Sequence, residues 1–160
     1  MKKVLLFEAL AVLLLAGVMA LLLYRKAPAD VPLSSVEEAI LSKHELSGME
    51  KAGDMRMKRA FGLNSADYEE VLYFAPDNTM SVSELLILKC RDESALAGVT
   101  EAFQSRLDVQ KKNFDGYGTD QTELLLHART GSAGPYAWFI VGREADQLLE
   151  TVQSVWEVKK

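Results

Sequence analysis

Apolar residues form one long run at the start of the chain and shorter periodic patterns after it. Val4 to Tyr24 is apolar except for Glu8, and basic residues flank the run on both sides. At about 1.5 Å of rise per residue, the run is about one membrane thickness of helix. The pattern predicts that residues 1–26 form an N-terminal transmembrane helix, which crosses the lipid bilayer once and contacts it through residues 4–24.

A removable signal peptide is the main alternative for this segment. Signal peptides usually have an apolar region of about 7 to 15 residues, whereas Val4 to Leu23 has the length of a spanning helix. The small-residue sequence Ala27-Pro28-Ala29 follows two basic residues and contains a proline, which is unfavourable for signal peptidase. We therefore expect a retained signal-anchor, with its basic end in the cytoplasm and the domain on the extracytoplasmic side of the cell membrane.

Glu8 also invites comparison with type IV pilins and pseudopilins. It is the fifth residue of a helix beginning at Val4, which is the spacing seen in those proteins. They need a small residue just before the cleavage point, and Lys3 stands there instead. Pro28 and Pro32 would also interrupt the continuous helix on which a pilin is built. A pseudopilin-like assembly component is therefore kept as an alternative.

Two helices are predicted before the first strand. Residues 27–33 contain two prolines and form a predicted stiff spacer. A capping-box pattern follows, because Ser34 and Ser35 stand three residues before glutamates, and it predicts a helix through about Leu46. A second helix is predicted over 55–61 and ends at Gly62.

Strand and helix patterns then follow one another in two similar units. In chain order we predict strands at Tyr68–Ala75 and Ser81–Cys90, a helix that follows Arg91-Asp92 and ends near Asn113, strands at Leu124–Ala128 and Tyr136–Val141 across the turn 131–135, and a helix from about Arg143. The first two strands are joined by a short turn and form a hairpin. The predicted fold class is α+β, with an antiparallel sheet of about four strands in two ββα-like units and packed helices over residues 34–160.

The charge of the domain limits its partners. Without the four basic residues and one acidic residue of the first 26, 14 basic and 22 acidic side chains remain. Binding to nucleic acid relies on a basic patch, so we predict no nucleic-acid partner. Cys90 is the single cysteine and cannot form a disulfide within the chain, so it is interpreted as a small buried apolar residue of a strand.

No catalytic, metal or cofactor motif is recognised in the sequence. His44-Glu45 lacks the second histidine of a zinc helix, and His127 is isolated. The glycines at 116 and 118 have no Walker lysine and no strand-to-helix context for phosphate. No serine lies in a nucleophile-elbow pattern. We therefore predict no cofactor and no enzymatic activity, and keep an enzyme with an unrecognised site as an alternative.

Four residues stand out as a candidate partner-binding set. Glu84 and Lys89 are charged residues on an otherwise apolar strand, on opposite faces, and we expect them at the exposed margin of the sheet. Phe114 and Tyr117 are aromatic residues beside glycines in a predicted loop. Aromatic loop residues suit an interface with an envelope protein or wall polymer. The open alternative is that both rings fold back to cover the end of the sheet.

Four segments resemble a known family of domains of unknown function. They read FGLNSADYEEVLYF, SELLILKCRDES, RLDVQKKNFDGYG and GPYAWFIVGREADQLLETV, and they lie between about Met55 and Val155. The family occurs in Gram-positive bacteria, mostly Firmicutes, behind a lipoprotein signal or a membrane anchor. The resemblance implies an exported, envelope-facing domain and carries no known activity or site residue. This chain differs from the common pattern because it has no lipobox cysteine.

Sequence and resemblance together predict a membrane-anchored accessory or binding domain on the outer face of a Gram-positive bacterium. The ligand is not identified by any motif.

Overall fold

A five-stranded antiparallel sheet forms the centre of the domain. The computed structural model describes residues 28–116 and 118–157. The strands are β1 (Met49–Lys51), β2 (Tyr68–Pro76), β3 (Glu84–Cys90), β4 (Arg129–Ala133) and β5 (Tyr136–Val141). Their order across the sheet is β1-β2-β3-β5-β4, with every neighbouring pair antiparallel. The predicted α+β class with an antiparallel sheet is confirmed, with one more strand than expected.

Helices cover both faces of the sheet. The five α-helices of the described residues are α1 (Leu33–Lys43), α2 (Asp54–Phe61), α3 (Leu96–Phe114), α4 (Thr119–Leu126) and α5 (Ala145–Glu157). Side chains of α2, α3 and α4 pack into one core cluster, and those of α1 and α5 pack into a second cluster on the opposite face. The result is a three-layer arrangement of helices, sheet and helices.

The central strand β3 explains why its sequence is almost wholly apolar. All seven of its residues are buried. Leu86 and Leu88 point into the cluster formed with α2, α3 and α4, whereas Leu85 and Ile87 point into the cluster formed with α1 and α5. A strand covered on both faces cannot show a polar face. This burial removes the exposed sheet margin that the sequence predicted for its two charged residues.

Aromatic packing fixes α2 and α3 against the sheet. The ring of Phe61 makes edge-on contacts with Tyr73, Phe103 and Phe139, at centroid distances of 5.8, 5.8 and 5.1 Å. Phe61 is the last residue of α2, which ends as predicted at Gly62, where φ is 72°. Such a left-handed position favours glycine and stops the helix so that Phe61 faces the sheet.

The first helix differs from its prediction at both ends. It begins at Leu33 after Pro32, makes no side-chain cap, and ends at Lys43 rather than near Leu46. The predicted capping box is therefore wrong, because Leu33 and Val36 are drawn into the core and Pro32 already sets the entry. Residues between Gly48 and Gly53 form the edge strand β1, for which the sequence predicted no element.

The region between 119 and 133 contains the largest error of prediction. Residues 124–126 belong to α4 rather than to a strand, and the strand beside β5 is Arg129–Ala133. The predicted turn 131–135 shrinks to residues 134 and 135. The strand at 129–133 was not recognised because it contains Gly131, and glycine is unfavourable in strands. The structure requires glycine there, since a Cβ at this position would lie 2.6 Å from the Trp138 ring. Packing against an indole overrides strand propensity here.

The predicted membrane anchor, residues 1–26, lies outside the described residues. Within 28–116 and 118–157, no helix has the length and apolar character needed to cross a membrane.

Candidate functional site

The carboxylate of Glu84 lies in a buried ion pair below α3. It accepts a hydrogen bond of 2.6 Å from the Tyr73 hydroxyl and bonds of 2.9 and 3.3 Å from Nε and Nη2 of Arg106. Glu84 is 0% exposed, and the guanidinium of Arg106 also lies 5.7 Å from the centre of the Phe61 ring. Burial, followed by the neighbouring carboxylate, raises the pKa of Tyr73, which keeps its proton. This group joins β2, β3 and α3.

Lys89 lies on the opposite face of β3 in a second ionic cluster. Its Nζ is 2.7 Å from Glu69, 2.8 Å from Asp30 and 3.5 Å from Glu70. The hydrogen bonds to Asp30 and Glu69 raise the pKa of Lys89, although partial burial opposes this. Glu84 and Lys89 lie on opposite faces of β3, as predicted, but both are buried rather than at an exposed margin.

Residues 28–32, which we call the docked segment, are bound to the domain by backbone hydrogen bonds. The Ala29 N–H donates to the Trp156 carbonyl over 3.0 Å. The Tyr136 hydroxyl accepts from the Val31 N–H over 2.9 Å and donates to the Val31 carbonyl over 2.8 Å. These contacts correct the interpretation of 27–33 as a separate spacer: its described residues are attached to the end of the sheet, and Leu33 already belongs to α1.

The structure describes one of the two aromatic residues of the predicted binding set. Phe114 is the last residue of α3 rather than a loop residue, is 6% exposed, and packs in the cluster with α2 and α4. Its ring is therefore part of the core rather than an exposed loop residue. Tyr117 lies outside the described residues. Partner binding through this loop stays a prediction.

A groove that the sequence did not predict runs between α4 and the start of α5. Its volume is about 480 Å³. Polar side chains from both helices and from the β5–α5 loop line it: Asp120, Glu123, His127, Arg143 and Asp146. Arg129 of β4 bonds Asp146 and holds the pKa of that carboxyl below its usual range. The groove was missed because α4 was interpreted as a loop and a strand, so its polar residues were never placed on one helix face.

His44 has partners that superficially match a catalytic triad. Its Nδ1 lies 2.9 Å from the Glu144 carboxylate, and its Nε2 lies 2.9 Å from the Thr151 hydroxyl. Thr151, however, is only 7% exposed, and it does not line the groove between α4 and α5. The imidazole therefore connects the end of α1 to α5, and we assign it a structural role.

The remaining chemical candidates are also structural. Cys90 is 2% exposed, and burial raises the pKa of its thiol, which disfavours the reactive thiolate. Across residues 28–116 and 118–157, no three His, Cys, Asp or Glu side chains are grouped so that they could hold a metal ion. The buried ionisable groups mainly join secondary-structure elements to one another.

One comparison with known proteins gives a match. A family model described as Domain of unknown function (DUF4358) matches residues 42–142, which is more than half of the chain. The match covers the whole sheet with α2, α3 and α4, and it omits α5 and the docked segment. Neither a curated protein nor a solved structure matches the chain.

Proposed function

The chain belongs to the DUF4358 family, and on that premise we propose that it is a membrane-anchored accessory or binding domain on the extracytoplasmic face of a Gram-positive bacterium. The observation that carries the proposal is the docked segment. Ala29 and Val31 are bonded to the end of α5 and to Tyr136. A free linker would need no such contacts, whereas a domain held in one orientation near its anchor would use them.

The chain length between anchor and domain supports a close attachment. Arg25 to Ala27 are the three residues between the end of the apolar run at Tyr24 and Pro28. Three extended residues reach at most about 11 Å. The domain is thereby restricted to the immediate surface of the bilayer, with the Ala29–Trp156 contact on its membrane-proximal side. A domain so restricted meets partners at the membrane surface rather than deep in the wall.

The groove between α4 and α5 is the proposed binding surface. Carboxylates, a histidine and an arginine all line this groove. Two residues separate Tyr117 from Asp120 at its rim, so the predicted aromatic loop leads into the same surface. Convergent polar groups in a concave site suit a polar ligand, such as a segment of an envelope protein or a wall polymer.

Location is tested with an impermeant thiol reagent on intact cells. Met55 is 82% exposed, so a Met55→Cys variant presents an accessible thiol on the folded domain. We expect labelling in intact cells. The unaltered chain, whose Cys90 is buried, is the matched control and should stay unlabelled until it is denatured. Labelling of Met55→Cys only after lysis would reverse the proposed orientation.

Binding is tested by placing a photo-cross-linking residue at position 123 in cells. A matched control carries the same residue at position 101, an exposed glutamate of α3 that does not line the groove. We expect a discrete cross-linked product from position 123 alone, and a weaker one when Tyr117→Ala is added. The same products from both positions would show non-specific contact and remove the groove as the binding surface.

A further inference from the structure

The two edges of the sheet differ in how well they are protected from pairing with another strand. β1, at one edge, has only three residues, and two of them, Glu50 and Lys51, are charged. β4, at the other edge, has five residues, and no described strand lies beyond it. Natural edge strands are usually blunted by charges, prolines, bulges or short length. β4 has only one charge, Arg129, which is already bonded to Asp146.

The backbone groups that β4 leaves open can be assigned from its hairpin with β5. Ala133 pairs with Tyr136 across the two-residue turn, and Gly131 pairs with Trp138. Residues flanking a two-residue hairpin loop exchange hydrogen bonds, and such pairs alternate along the strand. The N–H and C=O groups of Thr130 and Ser132 therefore point away from β5. Both residues are exposed.

We propose that β4 pairs with β4 of a second copy of the chain, antiparallel about a two-fold axis at Gly131. In this register Thr130 pairs with Ser132 of the second copy, and Ser132 pairs with its Thr130. The four open backbone groups of each strand then form four hydrogen bonds across the interface. A ten-stranded continuous sheet results, with an isologous interface.

The side chains of β4 fit this register. The central pair is Gly131 with its own copy, in the non-hydrogen-bonded position where Cα atoms approach to about 4.5 Å. Arg129 stands opposite Ala133 of the second copy, so the two arginines lie at opposite ends of the interface and like charges do not meet. Hydroxyl side chains face each other at Thr130 and Ser132, a favourable cross-strand pair.

A short interface of this kind needs a high local concentration. One strand pair of five residues buries much less than the roughly 1,200 Å² of stable soluble complexes. The extra strength comes from attachment to a surface, which raises effective concentration as a linker does. This step rests on the proposed membrane anchor, whereas the pairing register rests on β4 alone.

Disulfide trapping tests the register. The full-length protein in detergent micelles carries Thr130→Cys and Ser132→Cys together, and mild oxidation follows. Paired Cα atoms in the proposed register lie about 5.5 Å apart, within reach of a disulfide. Each single variant is a matched control, because its two cysteines lie about 9 Å apart and cannot be bridged. We expect a covalent dimer from the double variant alone. No dimer, or equal dimer from the single variants, would overturn the pairing.

Amide hydrogen exchange on the unaltered full-length protein gives a second test that requires no substitution. The amides of Thr130 and Ser132 should be protected when several chains share a micelle and should exchange rapidly when empty micelles dilute them. The amide of Gly131, bonded within the hairpin, is the internal control and should stay protected throughout. Exchange at 130 and 132 that ignores dilution would contradict self-pairing, whether it is fast or slow.

Discussion

Removal of Arg106 should destabilise the domain because it isolates a buried charge. The Glu84 carboxylate is held by two hydrogen bonds from Arg106 and one from Tyr73. Its side chain is 1% exposed, and that of Arg106 is 16% exposed. An Arg106→Met variant replaces the guanidinium, which lies over the Phe61 ring, by an uncharged thioether, so the positive charge beside Glu84 is lost. The carboxylate then has one neutral partner and almost no water.

The Coulomb attraction gives the size of the effect. Unit charges about 4 Å apart attract by about 4 kcal/mol at an effective dielectric constant near 20. We expect Arg106→Met to lose 3 to 4 kcal/mol of unfolding free energy at pH 7, as broken buried pairs do, at about 3–5 kcal/mol.

Urea unfolding of residues 27–160 at pH 7 measures this loss. Arg59→Met is the matched control, since Arg59 is an exposed arginine of α2, and it should change stability by less than about 0.5 kcal/mol. A loss below about 1 kcal/mol for Arg106→Met would refute the role assigned to this ion pair.

Three further substitutions test the packing and the titration of the domain in the same unfolding assay. Phe103→Ala, in the core of α3, should lose about 3 to 5 kcal/mol, and a loss below about 1 kcal/mol would mean that the helix face is wrong. Gly131→Ala forces a Cβ into the Trp138 ring and should lose about 1–3 kcal/mol, whereas Gly98→Ala, with open space around it, should gain up to about 1 kcal/mol; equal effects would contradict the contact. Because the pKa of Tyr73 is raised, folded protein retains a proton that unfolded protein releases above pH 10. Stability should fall as pH rises beyond that value, and Tyr73→Phe should reduce the slope by up to about 1.4 kcal/mol per pH unit; an unchanged slope would show that Tyr73 does not titrate this way.

Local periodicity was enough to predict the central elements of the fold. The hairpin of β2 and β3, the strand Tyr136–Val141 and the helix ending near Asn113 were all predicted from spacing, and the structure confirms them. Prediction failed where tertiary contacts decide the outcome. The strand around Gly131 depends on an indole from the next strand, and no pattern within 129–133 shows it.

Site prediction was limited by a different effect. Glu84 and Lys89 were recognised as unusual and correctly placed on opposite faces, but sequence alone could not supply their partners. Arg106 is 22 residues from Glu84, and Asp30 lies in a segment that seemed separate from the domain. A charged residue on a strand can be buried when residues distant in sequence supply its counterions, and the sequence does not show those partners. The groove was missed for a related reason, since it needs α4 and α5 side by side.

Energy transfer from the domain to the bilayer tests the membrane attachment most directly. A donor dye is placed at Glu157→Cys, next to the Trp156 carbonyl that binds Ala29, and acceptor dyes are placed on lipid headgroups of nanodiscs holding the full-length protein. A flexible Gly/Ser insertion of about 20 residues after Lys26, with an end-to-end distance of about 25 Å, serves as the comparison. The account predicts efficient transfer in the unaltered chain and a clear drop with the insertion. Equal transfer in both proteins, or no transfer in either, would contradict a domain held at the membrane surface by its docked segment.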